Sequence, residues 1–318
     1  MKKALVLVLS FLFIIQYIPA DDKGTAMGSF LQIVPGGRGP GVGDAVCSLD
    51  ESAESVFFNP AGIASVNDLN LALGYSKWLD TLNYSSLAFS MPVKDLFTLG
   101  IGFIGLFYGS FPVITQDSAG NLAETGNSAT ASDIAFNITL ARHITKTTTL
   151  GVTTKYISEK IENEKSDIIA FDIGLIDKLF VLDPVIGKAS SPVNLGMAVI
   201  NLSGKSQFIS KSYSLPMTLK IGVNYTFLGM EKQHRGLFLL DVVKAVDDNA
   251  KLNMGLEYNY KETVLLRLGY KIGADLDNIS MGIGFQHSLG DLHMGIDYSL
   301  VPFGDLGNTH RMGLTLSR

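Results

Sequence analysis

The chain has 318 residues, a net charge of −5, 47% hydrophobic and 17% charged residues, 33 glycines and one cysteine. A mean hydropathy of +0.27 is high for an exported soluble domain, and the mild acidity without a Lys/Arg stripe excludes nucleic acid as a partner. The lone Cys47 excludes disulfides within the chain and, with no lipobox before it, a lipid anchor.

Lys2 and Lys3 precede an uncharged apolar run from Ala4 to Ile15, followed by Pro19-Ala20. This pattern predicts a signal peptide over residues 1–20, and hence export. The next segment, residues 21–67, carries the glycine-rich "VPGGRGPGVGD" and then "AESVFFNPAGIA". In the latter, Pro60 lacks an N–H and drives Asn59 to an extended conformation, while Gly62 can take a positive φ, so a turn or the start of a short helix is expected. The glycines do not read as a phosphate loop: no strand precedes them, Gly-Lys-Ser/Thr is missing, and Asp44 would repel a phosphate.

From residue 68 onward the chain alternates. Leu252, Met254, Leu256, Tyr258 and Tyr260 oppose Asn253, Gly255, Glu257 and Asn259; Val264, Leu266, Leu268 and Tyr270 oppose Arg267, Gly269 and Lys271. Roughly fourteen segments of about ten residues follow this rule, a length that crosses a bilayer with tilt. They start near Leu69, Leu82, Phe97, Ser132, Thr148, Asp167, Val193, Leu215, Gly236, Lys251, Thr263, Ile279, Asp291 and His310. The run "LFTLGIGFIGLFYGSFPVIT" has the length of a membrane helix, but its glycines favour a strand. Tyr75, Tyr84, Tyr156, Tyr225, Tyr260 and Tyr298 stand near segment ends, where an aromatic girdle would meet lipid headgroups. Lys261-Glu262 and Leu289-Gly290 read as tight turns, Gly109 to Ala131 as a long polar outer loop, and Phe180-Val181-Leu182 as part of a connection that holds a short helix. The expected fold is an all-β transmembrane antiparallel barrel over residues 68–318, located in a bacterial outer membrane and in contact with its lipid. A soluble secreted β-protein is the alternative, since alternation alone does not separate lipid from a core. Lys220, Glu257, Arg267, Lys271 and Asp297, with Asp172 and Asn224, fall on the inward polar face.

No cofactor motif and no metal-like His or Cys spacing is present. His293 shares its strand face with Asp291 and Asp297, the one arrangement that could activate water, but solvated wall residues are the expected reading and the protein is not expected to be an enzyme.

Gly37-Arg38, Gly43, Ala45, Asp50-Glu51, Ala53, Phe58 and Asn59-Pro60-Ala61-Gly62 resemble the N-terminal signature of FadL-like outer-membrane barrels, most closely the PorV/PorQ branch; Val42 stands where that signature has Met. The closing "FGDLGNTHRMGLTLSR", with Thr309-His310-Arg311, is similar to that branch's last strand, although Arg318 is not the usual terminal aromatic. The resemblance implies a fourteen-stranded barrel with residues 21–67 folded into the lumen as a hatch. It also implies a protein-binding component of a type IX-like secretion route, with secreted cargo or secretion-apparatus proteins as partners. The alternative implied by the FadL branch is a transporter for long-chain fatty acids or other hydrophobic small molecules.

Overall fold

The computed structural model describes residues 26–79, 81–94, 96–116, 120–182, 189–208, 211–228 and 233–318; the expected signal peptide lies outside the described residues. Fourteen antiparallel strands close into a barrel. They are β1 (Asn70–Trp78), β2 (Leu82–Val93), β3 (Phe97–Gln116), β4 (Leu122–His143), β5 (Thr148–Ile161), β6 (Glu164–Leu182), β7 (Ala189–Ser203), β10 (Thr218–Leu228), β11 (His234–Ala245), β12 (Lys251–Tyr260), β13 (Val264–Ile272), β14 (Ile279–Leu289), β15 (Leu292–Pro302) and β16 (Asn308–Ser317). Between β7 and β10, the short strands β8 (Lys205–Phe208) and β9 (Lys211–Ser214) pair with each other. Pairing of β1 with β16 from Asn70↔Ser317 to Lys77↔His310 closes the cylinder and removes both sheet edges.

Alternation decides which side chain faces out of the barrel and which faces the lumen. On β13, Leu266, Leu268 and Tyr270 are exposed on the outside, whereas Arg267 and Lys271 are buried on the inside. The two-residue turn at Lys261-Glu262 is tight because both residues take positive φ, 53° and 52°.

Three local expectations are corrected. The Gly109–Ala131 stretch is a hairpin rather than a loop: β3 and β4 continue pairing to Gln116↔Leu122, well past the last partners that β3 finds on β2, at Asn83↔Phe107. The Thr, Val and Ile in this stretch favour a strand, and its glycines serve bends within it (Gly109 and Gly126 have positive φ) rather than ending it. Of the Lys178–Pro192 connection expected to hold a short helix, Lys178 to Leu182 extend strand β6 and Ala189 to Pro192 belong to β7, paired with each other; residues 183–188 lie outside the described residues. Tyr84 points into the lumen, where its hydroxyl donates to the Ile33 carbonyl at 2.8 Å, so it is no part of a girdle; Tyr75, Tyr156 and Tyr260 are exposed on the outside.

Residues 26–67 run down the inside of this cylinder, from Met27, whose N–H donates to the Ser214 carbonyl near the hairpin end, to Val66 near the start of β1. Four short helical turns, Ser29–Gln32, Arg38–Gly41, Ala53–Phe57 and Pro60–Ser65, fold the segment into a compact body that is largely buried. It touches every barrel strand, from Gly36 against Gly74 on β1 to the Val34 carbonyl under Arg311 on β16.

Candidate functional site

The motif residues of the N-terminal segment are its attachment points. Asn59 caps the Pro60–Ser65 turn by accepting from the Ala61 N–H at 3.2 Å, and its amide donates to the Cys47 carbonyl at 2.6 Å and to Leu175 on β6 at 3.4 Å. Pro60 occupies the first position of that turn, where its missing N–H costs nothing. The Gly62 carbonyl accepts from the Glu51 N–H at 3.1 Å, tying the two halves of the segment together. Gly37 lies against the Asp297 backbone, and Gly43, at φ 68°, lies against Gly269.

Approach this close needs glycines on the wall as well. Gly100, Gly151, Gly174, Gly196, Gly269 and Gly313 all face inward, and a Cβ on any of them would meet atoms of the segment. This belt of wall glycines is the feature that sequence reading passes over. Its signal was present in the glycines recurring on the inward face, strand after strand.

Ion pairs hold the segment on both sides: Lys178 of β6 pairs with Asp50 at 2.6 Å, and a larger group lies on the β12–β15 side. Arg38 forms a bidentate pair with Glu257, through Nε to Oε2 at 3.0 Å and Nη2 to Oε1 at 2.9 Å. Glu257 also accepts from Arg267 Nε at 2.6 Å, and Arg267 Nη1 reaches Asp297 at 2.6 Å. Lys271 bridges Asp44, at 2.6 Å, and Asp277. Of the inward polar residues singled out from the sequence, Glu257, Arg267 and Asp297 form one network, Lys271 a separate pair of contacts, Asp172 pairs with Lys155 at 2.8 Å, and Asn224 donates to the Ser48 carbonyl at 2.7 Å; Lys220 stands apart, buried beside the segment with no hydrogen bond or ion pair among the described residues. Within the segment, burial first and then the Asp297 charge push the Glu54 carboxyl up to about 7, against the opposing pull of Arg38 and Arg267.

The closing-strand motif divides between the two faces. Thr309 and Arg311 point inward, Arg311 donating to the Val34 carbonyl at 3.3 Å and lying 4.6 Å from the Trp78 ring centroid; His310 points outward to the Tyr298 hydroxyl at 2.6 Å. His293 bonds Ser288 at 2.7 Å at the opposite end of β15, and Asp297 is engaged by Arg267, so no His–Asp pair forms.

The lumen is two-sided. Along β10–β16 its wall is the more charged; along β2–β6 the inward Ala88, Ile104, Leu106, Ala135, Ile157 and Ile168 form one apolar cluster with Phe57, Val56 and Ile63 of the segment, beside the buried Lys155–Asp172 ion pair at 2.8 Å and the polar Asn137, Thr139 and Thr153. At the hairpin end of this side lies a cavity of about 450 Å³ between Met27 and Gly28 and the wall residues Tyr108, Phe111, Ala131, Asp133, Glu159 and Ile161, with Tyr213 of β9 as a further wall. The inward residues singled out from the sequence, Asp172 on β6 and six on β10–β15, are all polar, and the apolar inward residues of β2–β5 were left uncounted.

No family model matches the chain, and no curated protein does. Solved structures do. The Ralstonia pickettii toluene transporter TbuX superposes with a TM-score of 0.56 at 12% identity, covering 89% of this chain and 97% of its own. The Pseudomonas putida toluene transporter TodX gives 0.54 at 12% identity, covering 94% and 98%. A deletion mutant of TodX, described as a monoaromatic hydrocarbon channel, gives 0.56 at 13% identity, covering 89% and 97%. The chain has the fold of these FadL-like outer-membrane channels. All three are described as transporters or channels, and none as an enzyme or a secretion component.

Proposed function

We propose that this barrel admits hydrophobic small molecules across the outer membrane, through the cavity at the hairpin end, with residues 21–67 as the hatch that closes the lumen. The observation that carries the reading is the 450 Å³ cavity at the hairpin end, walled by Met27, Tyr108, Phe111, Ile161 and Tyr213, a volume in the range of small-molecule sites. The solved barrels with this fold, described as hydrocarbon channels, support it over the secretion reading. The PorV/PorQ-type protein-binding reading keeps one observation in its favour, the exposed β3–β4 hairpin, a natural handle for a partner protein.

Uptake of labelled toluene by cells carrying the chain tests both. Filling the cavity by Ala131→Trp should reduce uptake roughly tenfold, while replacing Gln116–Asn127 by a short Gly-Ser turn should leave uptake largely intact. Uptake indifferent to Ala131→Trp, together with a protein partner lost on trimming the hairpin, would make the secretion component the better reading.

A further inference from the structure

The cavity that the proposed function uses carries charge of one sign only. Among the described residues its lining holds two carboxylates, Asp133 and Glu159, and no Lys, Arg or His. The two sit directly opposite each other on β4 and β5, in register and on the same inward face. Like charges in that relation repel and weaken a sheet. Among the described residues neither is relieved by an ion pair: Asp133 accepts from the Tyr108 hydroxyl at 2.7 Å and Glu159 accepts from the Gly28 N–H at 2.6 Å. Each of those bonds uses one oxygen and leaves the other to a ligand. Around them stand Tyr108, Phe111 and Tyr213, whose ring faces attract cations, and the polarizable Met27.

We infer that the cavity selects hydrophobic molecules bearing a protonated amine, with the ammonium between Asp133 and Glu159 and the apolar body against Met27, Tyr108, Phe111 and Tyr213. This rests on the small-molecule reading above and narrows it. An ammonium supplies the positive charge that the carboxylate pair lacks and donates to the oxygens left over, whereas a carboxylate ligand, such as a fatty acid, meets two like charges with no counter-ion. Tyr108 and the Gly28 N–H hold the acids in place, so the acceptors are oriented before the ligand arrives.

Calorimetry on the purified full-length barrel at about pH 8, where the amine is protonated, tests this with three probes of one shape: para-butylbenzylamine, para-butylbenzyl alcohol and para-butylbenzoate. The amine should bind at least about tenfold more tightly than the alcohol, with the benzoate weakest. Glu159→Gln and Asp133→Asn should each erase most of that preference while still binding the alcohol, which shows that the cavity remains formed. Equal binding of amine and alcohol would mean that the acid pair relieves itself by keeping a proton, and would overturn the inference while leaving the small-molecule reading in place. Tightest binding of the benzoate would do the same. Failure of all three probes to bind would overturn the inference and the small-molecule reading together.

Discussion

Glu54 shows how a single side chain can set the condition under which the segment stays docked. It is buried beneath Gly36, and the charges facing it are Asp297 from β15, Arg38 from its own segment and Arg267 from β13. Its carboxyl is raised to about 7, so the docked state favours the protonated form. Docking stability from this group is present below the ordinary glutamate value and is lost as pH rises through about 7, a difference of roughly 2–3 kcal/mol at most for such a shift. Protease access to the N-terminal segment in the folded barrel should therefore increase between about pH 6 and pH 8, and Glu54→Gln should flatten that rise. Access that is independent of pH in the parent, or unchanged in slope by the substitution, would remove Glu54 from this role.

At the scale of the element, strand β13 tests the register. Leu268 is 59% exposed on the lipid side and Arg267 is 2% exposed on the lumen side. Leu268→Arg places a charge in the bilayer at a cost of roughly 2–4 kcal/mol and should lower the heat-modifiable, folded fraction during assembly. From the alternation alone, Arg267→Leu would be a mild change of wall. The structure makes it costlier, because it strips Asp297 of its counter-ion and Glu257 of one of two, about 3 kcal/mol for a broken buried pair. It should give an inserted barrel with a lower Tm and a more accessible N-terminal segment; the opposite assignment of the two phenotypes would contradict the register. Individual strands were legible in the sequence wherever one face meets lipid and the other does not, because period-two alternation follows directly from burial. The β3–β4 hairpin was not, because beyond the membrane both of its faces meet water and the alternation disappears. The Asn59-Pro60-Ala61-Gly62 turn was legible as a turn from its own residues. Its docking against Gly151 and Gly174 was not, because partners so distant in sequence leave no local signature.

For the whole molecule, the sidedness of the lumen matters most. The β10–β16 wall anchors the segment through Arg38 with Glu257 and Asp44 with the bridging Lys271, while the β2–β6 side holds it by an apolar cluster around Val56, Phe57 and Ile63 and by the Lys178–Asp50 pair. A fourteen-strand barrel without an internal plug would be open to ions, so the proposed hatch role requires that this segment, held on both sides, closes the lumen. Conductance in a planar bilayer, comparing the full chain with a variant lacking residues 34–64, both shown to be folded by heat-modifiable migration, is the most direct measurement of this closure. The account predicts a full chain that is silent or nearly so and a deletion variant with stable, ohmic ion conductance. A folded deletion variant that conducts no better than the full chain would contradict it.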